Sequence, residues 1–315
     1  MLHLRLIVPA DRTDEVVALL EKTVGTAHLV VLAGAARSPA GDVITCDVAR
    51  EAGDGLLREL RERGIDDCGS IAVEHIDLSL SQRAVQAEED APGEGADAVL
   101  WEQLSDATHE ESTLTVTYIA FLTLATMIAA CGVVLDNAIL IVGAMAVGPE
   151  FGPLAGICTA VVQRAPRLAW RSLVALVAGF AVAMILTVGF SYLMDAMDLF
   201  TYDKFEADRP NTSFIWQPDL MSFVVALLAG IAGTLSLTSA KSGALVGVAI
   251  SVTTVPAASN AAVAFLYGDY AQTWGSSGQL LLNLAGIVVA GTLTLATQKY
   301  LWGRQRQAKS SPSGV

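Results

Sequence analysis

The sequence predicts an α-helical integral membrane protein of six transmembrane spans, carrying a small N-terminal α+β domain in front of them. Three observations lead there. Of 315 residues, 53% are hydrophobic and only 16% charged, against about a quarter charged in ordinary soluble domains, and the mean hydropathy is +0.52. The formal charge of −13 is unevenly spread, with 9 Lys and Arg against 23 Asp and Glu up to Ser112, and 10 against 9 from Thr113 onward. Strand and helix periodicities are confined to the acidic front, while long apolar stretches fill the rest. A soluble enzyme is therefore not expected. Nor is a nucleic-acid partner, because the acidic front repels phosphate.

The front reads as residues 1–85. Leu2–Pro9 alternates apolar and polar residues as a half-buried strand does, and Asp11–Val24 repeats Val16, Val17, Leu19, Leu20 and Val24 at helical spacing. Two more strand-like runs, His28–Ala33 and Asp42–Val48, flank the turn-prone Ser38–Gly41. A helix at Gly55–Arg63 and a strand at Ile71–Leu78 complete a β-α-β-β-α-β order, the ferredoxin-like pattern of a four-stranded antiparallel sheet with two helices on one face. The core of so short a domain is small, and a homo-oligomer is expected. His3, His28 and His75 lie in or beside the strands and read as ordinary strand histidines. The start, MLHLRLIVPAD, has one Arg and an apolar run cut by Pro9, so no signal peptide is expected.

Residues 86–112 form an acidic connector. Nine acids and no Lys or Arg fall between Gln86 and Glu111. EEDAPGEG reads as a linker, and the following stretch places Leu100, Leu104 and Ala107 at helical spacing beside Trp101, as an amphipathic helix near the membrane entrance does.

Residues 113–303 hold the spans, and residues 304–315 a tail. Apolar stretches able to cross about 30 Å of hydrocarbon run at Leu114–Leu135, Asn137–Gln163, Leu168–Met194, Leu220–Ala240, Gly243–Tyr267 and Gln279–Trp302. Arg164, Arg167, Arg171, Lys241, Lys299, Arg304, Arg306 and Lys309 all fall on one side of these spans. Asp136, Asp269 and the Asp195–Asp219 loop, with six acids and two bases, fall on the other. The positive-inside rule then puts both termini in the cytoplasm of a multi-pass protein of the cell membrane, with the lipid bilayer as its first partner.

Spans two and five share Val142–Val147 against Val246–Ser251, and spans three and six share Val177–Gly179 against Val289–Gly291. Two three-span repeats must point in opposite directions through the bilayer, the inverted plan of many secondary transporters. Both second helices contain proline interruptions. In span two it is Gly148-Pro149-Glu150-Phe151-Gly152-Pro153. In span five it is Thr253 to Asn260, with Pro256, and Thr253, Thr254, Ser259, Asn260 and, from span six, Asn283 offer hydroxyl and amide groups. Unwound backbone at membrane depth is tolerated only where it is buried in protein or lines a cavity. Of the 32 acids, Glu150 is the one that falls deep within a span, where a charge is costly and marks a function. It reads either as a proton, cation or cationic-substrate site, or as the cap of the half-helix that follows.

These residues give the function expected from the sequence. A small solute or ion, the proton being one candidate, crosses by alternating access at two broken helices under control of the cytoplasmic domain. The alternatives are a ligand-gated channel and a membrane-anchored oligomeric sensor. No catalytic role is assigned: all four histidines precede the first span, which removes an intramembrane Ser-His dyad or a His-ligated metal. Cys46, Cys68, Cys131 and Cys158 lack metal-ligand spacing, so no metal or cofactor is expected.

The motifs GAMAVGPEFGPLAG (Gly143–Gly156), AGIAGTLSL (Ala229–Leu237), LVGVAISVTTVPAASNAAVAF (Leu245–Phe265) and LLLNLAGIVVAG (Leu280–Gly291) resemble the prokaryotic multi-pass family known as domain of unknown function 389, or the uncharacterised hydrophobic domain family. Its members typically carry a Ser-Pro-Leu-Met-Gly-Pro-like break and a Pro-Pro pair, to which Gly148–Pro153 and Val255-Pro256 correspond here. Glu150 departs from the usual apolar residue. The resemblance implies a membrane protein with a cytoplasmic front domain and names no substrate.

Overall fold

The computed structural model describes residues 1–76, 78–91, 99–217, 219–238 and 254–310. It forms two compact units, one built on Met1–Leu104 and one on Ser105–Leu237 with the described residues up to Lys299.

The first unit contains β1 (Leu2–Val8), α1 (Thr13–Lys22), β2 (Thr26–Arg37), β3 (Ala40–Val48), α2 (Arg50–Glu62), a short α3 (Ile65–Cys68), β4 (Ser70–His75) and α4 (Gln82–Asp90). The strands stand in the order β2-β3-β1-β4, with every neighbouring pair antiparallel. Alternation in β1 puts Leu2, Leu4, Leu6 and Val8 on one face, all fully buried. Ile44, Cys46 and Val48 of β3 extend that face. Val16 and Leu20 of α1 and Leu56, Leu57 and Leu60 of α2 cover it, and each such side chain contributes about 1.5–3 kcal/mol by leaving water. Several boundaries differ from the periodicity reading. β2 is twelve residues long, α2 begins at Arg50, and α4 occupies the start of what reads as linker, with Ser81 accepting a hydrogen bond from the Ala84 N–H as its N-cap.

His3 and His28 are more than strand fillers. His3 stands opposite Asp47 in the β1–β3 register and donates from Nδ1 to Oδ1 at 2.7 Å. A register shift between Ala27 and Val30 coincides with a φ of 53° at His28, the kind of irregularity that re-aims a side chain. His28 Nδ1 donates to the other Asp47 oxygen at 2.7 Å, and its Nε2 lies 2.8 Å from Ser81 Oγ. Burial works to raise the Asp47 pKa, but the hydrogen bonds and charge of the two histidines outweigh it and hold the carboxyl below its ordinary range.

The second unit starts within α5 (Trp101–Glu111) and continues with α6 (Val116–Val134), α7 (Ala138–Val147), α8 (Phe151–Gln163), α9 (Pro166–Ala196), a short α10 (Tyr202–Glu206), α11 (Leu220–Thr238), α12 (Thr254–Leu266) and α13 (Tyr270–Ser310). Leu100 and Leu104 are buried as expected, and Thr108 rather than the exposed Ala107 continues their stripe along α5. Among the described residues, four helices are long and apolar enough to cross a membrane: α6, α9, α11 and the Tyr270–Leu301 part of α13. The pair α7 and α8, bent by 55°, makes a fifth if it counts as one span. At about 1.5 Å per residue, α6 alone covers nearly the 30 Å of a hydrocarbon core. Large apolar side chains such as Ile139, Val177, Ile185 and Leu220 face outward, as a lipid-facing surface requires. Six spans are not seen among the described residues, because the first 11 residues of Gly243–Tyr267 lie outside them and the described part contains only the 13-residue α12.

A carboxyl whose folded-state pKa is depressed stabilises fully above its unfolded value, about 4, and loses that contribution as the pH falls through the folded value. Asp47→Asn is expected to cost the front domain about 1–3 kcal/mol at neutral pH and to flatten the acid side of its stability curve, as read by denaturant unfolding across the acid range.

Candidate functional site

The break between α7 and α8 is three residues long, Gly148 to Glu150. Proline disfavours a helical conformation in the residue before it, and Gly148 leaves the helix with φ −66° and ψ 126° while its N–H still bonds the Ala144 carbonyl. Pro149 itself has no donor with which to continue the helix. Gly152 and Pro153 were expected within the interruption but lie inside α8, where Pro153 is the third residue. First-turn N–H groups have no intrahelical acceptor, so proline there loses nothing.

Glu150 is 1% exposed and occupies the N-cap position of α8, but its side chain makes no capping hydrogen bond. Its Oε1 instead accepts from Thr254 Oγ1 at 2.8 Å. A Cβ on Gly148 would run into the Glu150 carboxylate and Val255, so the glycine lets the acid fold back over its own break. Tyr118 of α6, also buried, lies close enough to feel the charge on Glu150. The break therefore places a carboxyl, hydrogen-bonded to the Thr254 hydroxyl, inside an apolar bundle.

Of the opposing interruption, Thr253 lies outside the described residues, and Thr254 to Asn260 belong to α12, which is continuous from Thr254 onward. Every residue from Thr254 to Ala264 is buried, so α12 runs through the middle of its unit. Asn260 does not join Glu150. It stands six residues beyond Thr254, about 9 Å along the axis. There Asn260 Nδ2 donates to Ser276 Oγ at 2.8 Å, and Arg209 Nη1 donates to Asn260 Oδ1 at 3.2 Å. Arg209 Nη2 donates to Gln272 Oε1 at 2.7 Å, and the guanidinium sits 4.4 Å from the centre of the Phe205 ring. Asn283 is buried on α13, with the Gln279 amide 3.5 Å from its Oδ1, and Ser259 is buried beside Asn260. The predicted residues thus divide into two polar stations at different levels of α12, rather than one site between two breaks.

Gly152 and Gly156 of α8 serve packing. The first receives Glu111 and the second Ser112 and Ser172. Burial, with the neighbouring Glu110 adding to it, raises the Glu111 carboxyl pKa.

Arg209, Gln272, Ser276 and Gln279 escape the sequence reading. Their signal is present: Gln272, Ser276, Gln279 and Asn283 repeat at the spacing of one helix face. A span drawn from Gln279 cuts that row in half, whereas α13 begins at Tyr270. Arg209 counts only as a loop charge until the fold buries it to 7% exposure.

Residues 145–289 match the family described as Domain of unknown function (DUF389), a segment that contains Glu150, α12 and the polar row of α13. An uncharacterized protein of Methanocaldococcus jannaschii is 24% identical over 225 residues, covering 70% of this chain and 68% of its own length. No solved structure matches the chain.

Thr254→Val removes the hydroxyl that donates to the buried carboxyl. It is expected to cost about 1–3 kcal/mol, measured as a lower thermal midpoint in detergent, whereas Thr254→Ser stays close to wild type.

Proposed function

We propose that this DUF389-domain protein is a multi-pass membrane transporter that moves a small solute or ion by alternating access around the α7–α8 break, with Glu150 carrying a coupled proton. The observation that carries this reading is the buried Glu150 carboxyl in a helix break, hydrogen-bonded to the first residue of a central helix. An ionisable group at that depth is retained for function rather than stability, and a carboxyl can take and release a proton.

The spacing of the elements supports two related halves. α11 begins at Leu220, 104 residues after α6 begins at Val116, and α13 begins at Tyr270, 104 residues after α9 begins at Pro166. Pro256 of α12 likewise follows Pro153 of α8 by 103 residues. With Gly243–Tyr267 as a crossing that contains α12, each half has three spans, and an odd number makes the halves inverted. The basic residues Arg164, Arg167, Arg171 and Lys299 then assign their side of the bilayer, and both termini, to the cytoplasm of the cell membrane. The front domain lies on that side and regulates the cycle.

Glu150→Gln keeps the shape and removes the titration. In proteoliposomes loaded with a pH-sensitive dye, wild type is expected to carry protons when a panel of small solutes is added, and Glu150→Gln to lose that flux while eluting as a folded protein on size exclusion. Equal proton flux in the variant excludes Glu150 as the carrier, and no solute-dependent flux from wild type across the panel counts against transport.

A further inference from the structure

Ser81, His28 and Asp47 of the front domain form a hydrogen-bonded chain from hydroxyl to imidazole to carboxylate. Ser81 Oγ lies 2.8 Å from His28 Nε2, and His28 Nδ1 lies 2.7 Å from Asp47 Oδ2. Three elements meet there: Asp47 is on β3, His28 on the irregular stretch of β2, and Ser81 is the N-cap of α4. Asp47 sets the direction of the bonds. Held as a carboxylate, it has only acceptors to offer, so His28 carries its proton on Nδ1 and the neutral ring presents a lone pair on Nε2. The Ser81 hydroxyl then donates to that lone pair. His3 holds the other Asp47 oxygen at 2.7 Å, which fixes the carboxylate from both sides.

This is the arrangement that activates a serine: a base within hydrogen-bond reach of the hydroxyl, and the base itself oriented by a third group. The chain is open at its serine end. The Asp47 side chain is 12% exposed and that of His28 34%, so the acid is shielded while the base can be approached. Ser81 lines an open cleft of about 470 Å³ together with Leu80, Gln82, Val85 and Gln86, and the exposed Leu80 and Val85 give it an apolar surface. First-turn N–H groups of a helix have no intrahelical acceptor. One of them, on Ala84, is 3.4 Å from Ser81 Oγ, and Gln82 and Arg83 carry the two before it. Negative charge developing on an oxygen next to Ser81 is therefore stabilised by the start of α4.

We propose that Ser81, His28 and Asp47 form a hydrolytic site for small carboxylic esters, with Ser81 as nucleophile, His28 as general base and Asp47 positioning His28. Ser81 Oγ attacks the ester carbonyl carbon while its proton passes to His28 Nε2. The carbon–oxygen bond to the alcohol then breaks, and the alcohol leaves with that proton. Water attacks the acyl-serine and gives a proton to His28 Nε2, and the acid departs as this proton returns to Ser81 Oγ. One ester and one water become one alcohol and one acid, with no other reactant. The inference goes beyond the transport reading and is independent of it, since all three residues belong to the first unit.

The test uses the full-length protein in detergent with two probes: a fluorophosphonate, which labels activated serines, and p-nitrophenyl butyrate. Wild type is expected to hydrolyse the ester saturably and to carry the label on the peptide that contains Ser81. Ser81→Asn retains an N-cap oxygen without a nucleophile, and is expected to stay folded and lose both signals. His28→Gln is expected to slow both by about a hundredfold or more, the usual contribution of a general base. Asp47→Asn, in protein that elutes as folded, is expected to slow labelling without lowering its final extent, and Asp47→Glu to restore part of the rate. Hydrolysis and labelling by wild type no greater than in folded Ser81→Asn overturn the site and leave the three residues as a clasp that holds α4 on the sheet. A label carried by another residue overturns it too, as do unchanged rates in folded His28→Gln.

Discussion

A carboxyl group buried in a broken helix is the constraint around which the membrane unit is arranged. Glu150 can be there because Gly148 and Pro149 end α7, because Gly148 has no side chain to occupy the space the carboxylate folds into, and because Thr254 supplies a hydroxyl from another helix. Each condition alone is ordinary. Together they require α12 to bring its first residue to the break, and α12 in turn is wrapped on every side by the bundle. An apolar solvent makes this arrangement exacting, since a polar group without a partner costs several kcal/mol there.

α12 also gives the unit an internal scale. One end meets the acid, and six residues on, Asn260 meets the base Arg209 through amide groups. Ala257, Ala258, Ala261 and Ala262 between and beyond these contacts are buried small residues that let neighbouring helices pack closely on α12.

Much of this was legible in the chain, for reasons that differ by element. Period-two alternation in Leu2–Val8 and helical spacing at Val16 and Leu20 located the front-domain core, because one buried face imposes its period on the sequence. The Gly-Pro pair located the α7–α8 break, because proline chemistry is local. Pro256 falls in α12, which is continuous from Thr254 onward. Proline breaks a helix from its interior yet is tolerated in a first turn, and which of these applies depends on where the helix starts, something the apolar run around it does not mark. The role of His28 depended on a bulge in β2 that re-aims one side chain. Arg209 depended on a loop folding inward, and no local pattern records that. Residues 145–289 match the DUF389 family, in line with the resemblance read from the motifs, and of the polar groups read at the second interruption Thr254 meets Glu150 while Asn260 meets Arg209.

The central claim is that Glu150 changes protonation during the working cycle. Infrared difference spectroscopy on the full-length protein in lipid, recorded before and after addition of a transported solute, reads the carbonyl stretch of a protonated carboxyl directly. The account predicts a band that appears or disappears with solute and is missing in Glu150→Gln. A solute-dependent carboxyl band that persists in Glu150→Gln, or its absence from wild type while flux proceeds, would contradict it.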